Sequence, residues 1–241
     1  MGRLTAFDRL FDEAAPLIRE HRHRIESPPV DGGRWPVSVV LRPDQAVARR
    51  LEQAMVDTEV FAGPGHFRTG AADSVHFTVR ALELYRESVD DRAVRRYAAA
   101  LRRAARGVGP VALDLVGLTL APGSVMVCAH PVDKSAARLM RRLSDELGQD
   151  AWHEAGLDRN IWYATLLHFG THIAEPSGLV EWVAQRRDLN LGRAVMEGAE
   201  LVRFRYEDGP AGRLMRPEVL ATARTRTGQA NPEAPEVDPL S

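Results

Sequence analysis

At 241 residues, 44% hydrophobic and 27% charged, the chain has the make-up of a globular protein with ample material for a core. A formal net charge of −1 excludes a protein that coats long nucleic acid, which needs a broad basic surface, and leaves room only for a local basic pocket. The single cysteine, Cys128, excludes a disulfide framework and fits a reducing, cytoplasmic compartment.

The first residues, Met1 to His23, mix apolar and charged side chains without a signal-peptide core and predict an amphipathic helix, so residues 1–25 are expected as an N-terminal helix. No apolar run approaches the ~20 residues of a membrane span. Residues 26–34, with Pro28-Pro29 and Gly32-Gly33, have the composition of a linker. Val37 to Leu41 is a short β-rich run, and Asp44 opens a helical pattern from Gln45 to Thr58. A Gly/Pro-rich loop from Ala62 to Gly70 follows, then a strand over Val75 to Leu82 with His76, Thr78 and Arg80 on one face. Asp90 or Asp91 caps a helix to about Arg106, and Val111 to Leu120 alternates as a strand.

The same order then recurs. Ser124 to Ala129 reads as a strand, Lys134 to Leu147 as a helix, Ile161 to Phe169 as a strand, Gly178 to Arg187 as a helix and Ala199 to Tyr206 as a strand. Pro43 and Pro131, Ala48 and Ala136, Arg50 and Arg138, and Leu51 and Leu139 are each separated by 88 positions; Thr78 and Thr165 are separated by 87. These offsets imply an internal duplication with two β-α-β-α-β halves about a pseudo-twofold axis. The expected fold is α+β and bilobal over residues 35–221, with a central groove, followed by a disordered tail at 222–241. One doubly wound α/β domain is the alternative, since strands alternate with helices.

The chemistry concentrates in His76-Phe77-Thr78-Val79 and, at the equivalent place in the second half, Tyr163-Ala164-Thr165-Leu166. Residues two apart on a strand point the same way, so His76 and Thr78 can reach one ligand together. On these two motifs and the bilobal order, the chain resembles the two-histidine (2H) phosphoesterase superfamily of 2′-5′ RNA ligase-like and cyclic phosphodiesterase proteins. That resemblance implies two motif strands lining a central groove, with two histidines as general base and acid. It implies two threonines holding phosphate oxygens and no metal. It carries over to His76, Thr78 and Thr165. It does not carry over to the second histidine, because Tyr163 stands in that slot.

A tyrosine titrates near ~10 and is a poor base at neutral pH, but it can donate a hydrogen bond or protonate a leaving alkoxide. The reading is therefore His76 as base and Tyr163 as acid or phosphate anchor. His168 is a rival partner: strict alternation puts it on the opposite strand face, and a bulge would bring it round. Arg80 could meet a phosphate from the His76 face, as could Arg203 and Arg205 from the last strand. Each also reads as an ordinary surface charge; His76 also reads as a structural histidine and Thr78 and Thr165 as plain strand threonines. His66 lies in the Gly/Pro loop, which could cover the groove, but it and His172 read first as solvated loop residues. The arginine-rich segment from Arg92 to Arg106 spreads its charges round the helix and reads as a solvated face. One cysteine and dispersed histidines offer no zinc spacing, and no cofactor is implied. The expected activity is a metal-independent phosphodiesterase acting, as a monomer, on a small nucleotide or RNA-end phosphodiester. The alternative is a degenerate module that binds a nucleotide or other phosphorylated ligand without cleaving it.

Overall fold

The computed structural model of the protein describes residues 5–156, 161–210 and 212–225. It opens with α1 (Ala6–Arg19), whose Thr5 hydroxyl accepts from the Asp8 amide while the Asp8 carboxylate accepts from the Thr5 amide, a reciprocal cap. Phe7, Ala14, Ala15 and Ile18 form its buried stripe, which lies against β3 and α5. The chain continues through β1 (Val37–Leu41), α2 (Gln45–Ala62), β2 (Phe77–Glu83), α3 (Asp91–Ala105) and β3 (Val111–Ala121). It then runs through β4 (Ser124–Pro131), α4 (Ser135–Leu147), a 3-10 segment (Gly148–Glu154), β5 (Trp162–His168), α5 (Pro176–Ala184), β6 (Asn190–Met196), β7 (Gly198–Gly209) and β8 (Gly212–Arg224). Asp44 caps α2 through Val47 as its sequence position suggests, and of the two candidates Asp90 and Asp91 it is Asp90 that caps α3, through Ala93.

Two four-stranded sheets form, in the orders β2-β1-β7-β8 and β5-β4-β3-β6, and every named pairing is antiparallel. The bilobal α+β reading holds, and the doubly wound parallel alternative is ruled out. The halves are more entangled than the repeat implies. Each repeat contributes its first two strands to one sheet and its third to the other: β3 pairs with β4, and β7 pairs with β1. β6 and β8, which the sequence pattern did not announce, extend the far sides. The motif strands β2 and β5 are edge strands, one per sheet, and they come together along the middle of the molecule.

Helices cover the outer faces. α3 lies against β7, β8 and α4, with Tyr97, Leu101 and Ala104 inward, and Arg96 and Arg103 pair outward with Asp150 and Glu146. The arginine-rich helix is thus a solvated, ion-paired face. The main core joins both lobes, with Val39, Phe77, Leu113, Val127 and Leu166 among its fully buried members. A second cluster, Trp35, Val40, Phe67, Tyr85, Val202, Phe204 and Met215, lies on the opposite face of the first sheet.

Residues 26–34 carry no helix or strand but are fastened to the body: the Glu26 amide donates to Phe169 O and the Gly32 amide to Tyr85 O. β8 runs on to Arg224, so residues 222–224 of the expected tail belong to the sheet; 226–241 lie outside the described residues. Among the described residues, no helix is long and apolar enough to cross a membrane.

Candidate active site

A cleft of about 190 Å³ lies between β2 and β5, and His76, Thr78, Tyr163, Thr165 and His168 all line it. Ligand clefts for drug-sized molecules run about 300–1,000 Å³, so this space suits a phosphate and its adjoining ring better than a whole dinucleotide. Ser38, Ala81 and Phe204 also line it, as do Arg34, Trp35 and Pro36 from the segment before β1. Glu154 reaches the rim from the end of the 3-10 segment.

The register explains which side chains arrive. On β2, Val40 faces Thr78 and Val39 faces Arg80, so Val79 is an extra residue. On β5, Met126 faces Thr165 and Val125 faces Leu167, so Leu166 is an extra residue. Each is a one-residue bulge, and it reverses the alternation beyond it. The two bulges are equivalent under the repeat, since both immediately follow the motif threonine. On β5 the bulge brings His168 into the cleft. On β2 it brings Ala81 in and sends Arg80 out.

Arg80 is therefore not a groove residue. Its side chain is buried behind the sheet and donates from one guanidinium nitrogen to Ala151 O at 3.0 Å and Glu154 O at 2.9 Å. It ties down the 3-10 segment that carries Glu154. Arg203 and Arg205 are likewise outside: both pair with Glu218 and donate to Glu87 O. His66 is buried, contrary to its solvated reading, because its ring bonds Ala62 O and accepts from the Gly170 amide. His172 is exposed.

His76 sits one residue before β2, and its Nδ1 lies 2.8 Å from Ser74 O. A carbonyl can only accept, so Nδ1 carries the proton and Nε2 of the neutral ring is a bare lone pair. Burial pushes the imidazole down to about 4; the Ser74 carbonyl opposes this, and Arg42 adds to it. The ring also stands against Phe204, with centroids 5.1 Å apart.

His168 is held more tightly. Its amide donates to Phe67 O and its carbonyl accepts from the Phe67 amide, while its backbone pairs with Ser124 on the other side. Nδ1 lies 3.2 Å from the Thr69 hydroxyl, and the Trp35 ring meets it edge-on at 4.7 Å. Trp35 takes a positive φ of 74°, a strained setting for a bulky residue, and this turns the backbone so that the indole reaches the cleft wall. Burial pushes the His168 imidazole down to about 3, helped by Arg34, His76 and Arg24. At neutral pH the cleft thus holds two uncharged imidazoles.

Positive charge comes from Arg34, half-exposed and 2.6 Å from Glu26, whose other partner is Arg24 at 2.9 Å. Burial draws the Arg34 pKa down, opposed by Glu26. Composition gave Arg34 and Trp35 no functional signal, because they stand beside a Gly/Pro-rich stretch and reach the site only through tertiary placement. Among the described residues, no group of three or more His, Cys, Asp or Glu could hold a metal ion. Cys128 is buried and its thiol is pushed up to about 12, so it is not a nucleophile.

No protein-family model matches the sequence, and no curated protein does. Solved structures do. TT0787 of Thermus thermophilus superposes with a TM-score of 0.58 at 20% identity, covering 80% of this chain and 99% of that one. E. coli LigT complexed with 3′-AMP gives 0.57 at 13% identity, covering 79% of this chain and 97% of LigT. The NADP+ complex of LigT gives 0.54 at 12% identity, covering 80% and 99%.

The chain has the LigT-like fold. At these identities the likeness concerns architecture, and the LigT-like fold accounts for both sheets and the cleft between them.

Proposed function

We propose that the protein is a metal-independent phosphodiesterase acting on a small nucleotide or RNA-end phosphodiester, either 2′,3′-cyclic or 2′-5′ linked. One observation carries this reading: His76, with its bare Nε2, shares a cleft with both Thr78 and Thr165. The LigT structures complexed with 3′-AMP and NADP+ support a nucleotide as the ligand class.

In this reading, His76 takes a proton from the attacking water or hydroxyl. Thr78 and Thr165 donate hydroxyl hydrogens to non-bridging phosphate oxygens, and Arg34 supplies charge at the mouth. The Tyr163 hydroxyl adds a third neutral donor from the facing strand.

The test is incubation with 2′,3′-cyclic nucleotides and a 2′-5′-linked dinucleotide in EDTA, beside a His76→Ala control. Turnover lowered on the order of 10²-fold or more in the control is expected. No turnover above that control across the panel rejects the enzyme reading. The tyrosine in the second motif favours a second reading, a nucleotide-binding module without cleavage. Calorimetric binding of a nucleotide, unchanged in kind by His76→Ala and without turnover, would establish that instead.

A further inference from the structure

We infer that His168 is the second proton-transfer group of this cleft and protonates the leaving oxygen, taking the part for which the motif slot at Tyr163 has no imidazole. The inference rests on the phosphodiesterase reading and names a residue for it.

Four observations place His168 there. The Leu166 bulge turns it to the Tyr163–Thr165 side of β5, into the cleft that His76 also lines. It comes from the opposite lobe to His76, so each lobe brings one imidazole to the cleft, and an in-line displacement at phosphorus needs base and acid on opposite sides. Its backbone is fixed on both sides, by Phe67 and by Ser124. Its Nδ1 is engaged by Thr69, which leaves Nε2 as the nitrogen free to meet a ligand. The equivalent position on β2 is Ala81, so the cleft holds one imidazole per wall, at staggered heights.

Water attacks phosphorus, and His76 Nε2 takes its proton as the new P–O bond forms. The P–O bond to one ribose oxygen breaks, and the His168 imidazolium gives that oxygen its proton. The products are a phosphomonoester and a free ribose hydroxyl, with His76 protonated and His168 neutral. On product release His76 gives its proton to solvent and both rings are again neutral, and the next phosphodiester to bind draws a solvent proton onto His168. In the empty cleft, burial above all, and then Arg34, His76 and Arg24, disfavour a charge on His168. A bound phosphodiester brings a negative charge between the walls and favours it.

A general acid matters only when the leaving group is poor, and this supplies the test. Wild type, His168→Gln and His76→Gln are assayed in EDTA on a 2′,3′-cyclic nucleotide and on a nucleoside 3′-p-nitrophenyl phosphodiester, whose leaving phenolate needs no proton. Thermal melts confirm folding, and His168→Asn serves if the glutamine variant does not fold. The expected result is a loss on the order of 10²–10⁴-fold for His168→Gln on the cyclic substrate, largely relieved on the p-nitrophenyl ester. His76→Gln should be slow on both. Equal losses on both substrates for His168→Gln, or no loss, overturn the assignment while leaving the phosphodiesterase reading intact. No wild-type turnover on either substrate overturns that reading and the assignment with it.

Discussion

Ala81 and His168 occupy equivalent positions on the two motif strands, each three residues beyond the motif threonine and each turned into the cleft by a bulge. The pseudo-twofold thus survives in the backbone while the side chains have diverged. One strand keeps its imidazole in the motif slot, at His76; the other carries it two residues past the bulge, at His168. The symmetry that a repeat of sequence implies is a symmetry of register, and it does not require the same residue at each station.

Both imidazoles are held neutral, and this has a consequence for stability. His76 is pushed down to about 4 and His168 to about 3, against ~6.5 in an unfolded chain. Between those values the unfolded state binds more protons, so stability rises with pH there. Their contribution is fully present above about pH 6.5 and is lost as pH falls towards 4 and then 3. The melting temperature should therefore drop between pH 7 and pH 4, and His76→Gln and His168→Gln should each flatten the slope. Slopes identical to wild type in both variants would show that other groups set the acid limit.

Much of the arrangement was legible in the sequence. The capping aspartates Asp44 and Asp90, the recurrence of element order and the paired Thr78 and Thr165 all came from local pattern. The bulges did not. A strand's own alternation cannot reveal an extra residue that only its partner's register defines, which is why Arg80 read as a groove residue and His168 entered the groove only on the supposition of a bulge. Exchange of β3 and β7 between sheets is also non-local. β6 escaped notice because Gly192, at φ 89°, and Arg193 interrupt its pattern. β8 escaped because Pro217 and its charged neighbours resemble a loop; an edge strand tolerates that proline.

The buried Arg80 should matter for stability and only indirectly for chemistry. Its guanidinium satisfies the Ala151 and Glu154 carbonyls at the end of the 3-10 segment. Arg80→Met keeps bulk and deletes the donors, leaving buried acceptors unpaired at a cost of about 1–3 kcal/mol. Urea denaturation should show the midpoint lowered with the slope unchanged. Because Glu154 sits at the cleft rim, KM should rise more than kcat falls. A kcat loss as large as that of His76→Ala would place Arg80 in the chemistry, against its position behind the sheet.

Tyr163 is the residue on which the two motif strands differ, and its role can be separated from that of His168. If His168 supplies the proton, the Tyr163 hydroxyl is a neutral donor to a phosphate oxygen and nothing more. Tyr163→Phe keeps the ring and removes one hydrogen bond to a charged acceptor, about 1.5–3 kcal/mol, or roughly 10- to 150-fold in kcat/KM. That loss should be the same for a cyclic phosphate and for a p-nitrophenyl ester, because no leaving-group proton is involved. Tyr163→His places an imidazole in the motif slot beside Thr165. In the wild-type background it should change turnover little, since an acid is already present. In the His168→Gln background it should restore at least tenfold of the lost rate on the cyclic substrate, because the proton donor has been moved along one strand of the same wall. If Tyr163→Phe instead slows only the poor-leaving-group substrate, the tyrosine is the acid and His168 is a wall of the cleft.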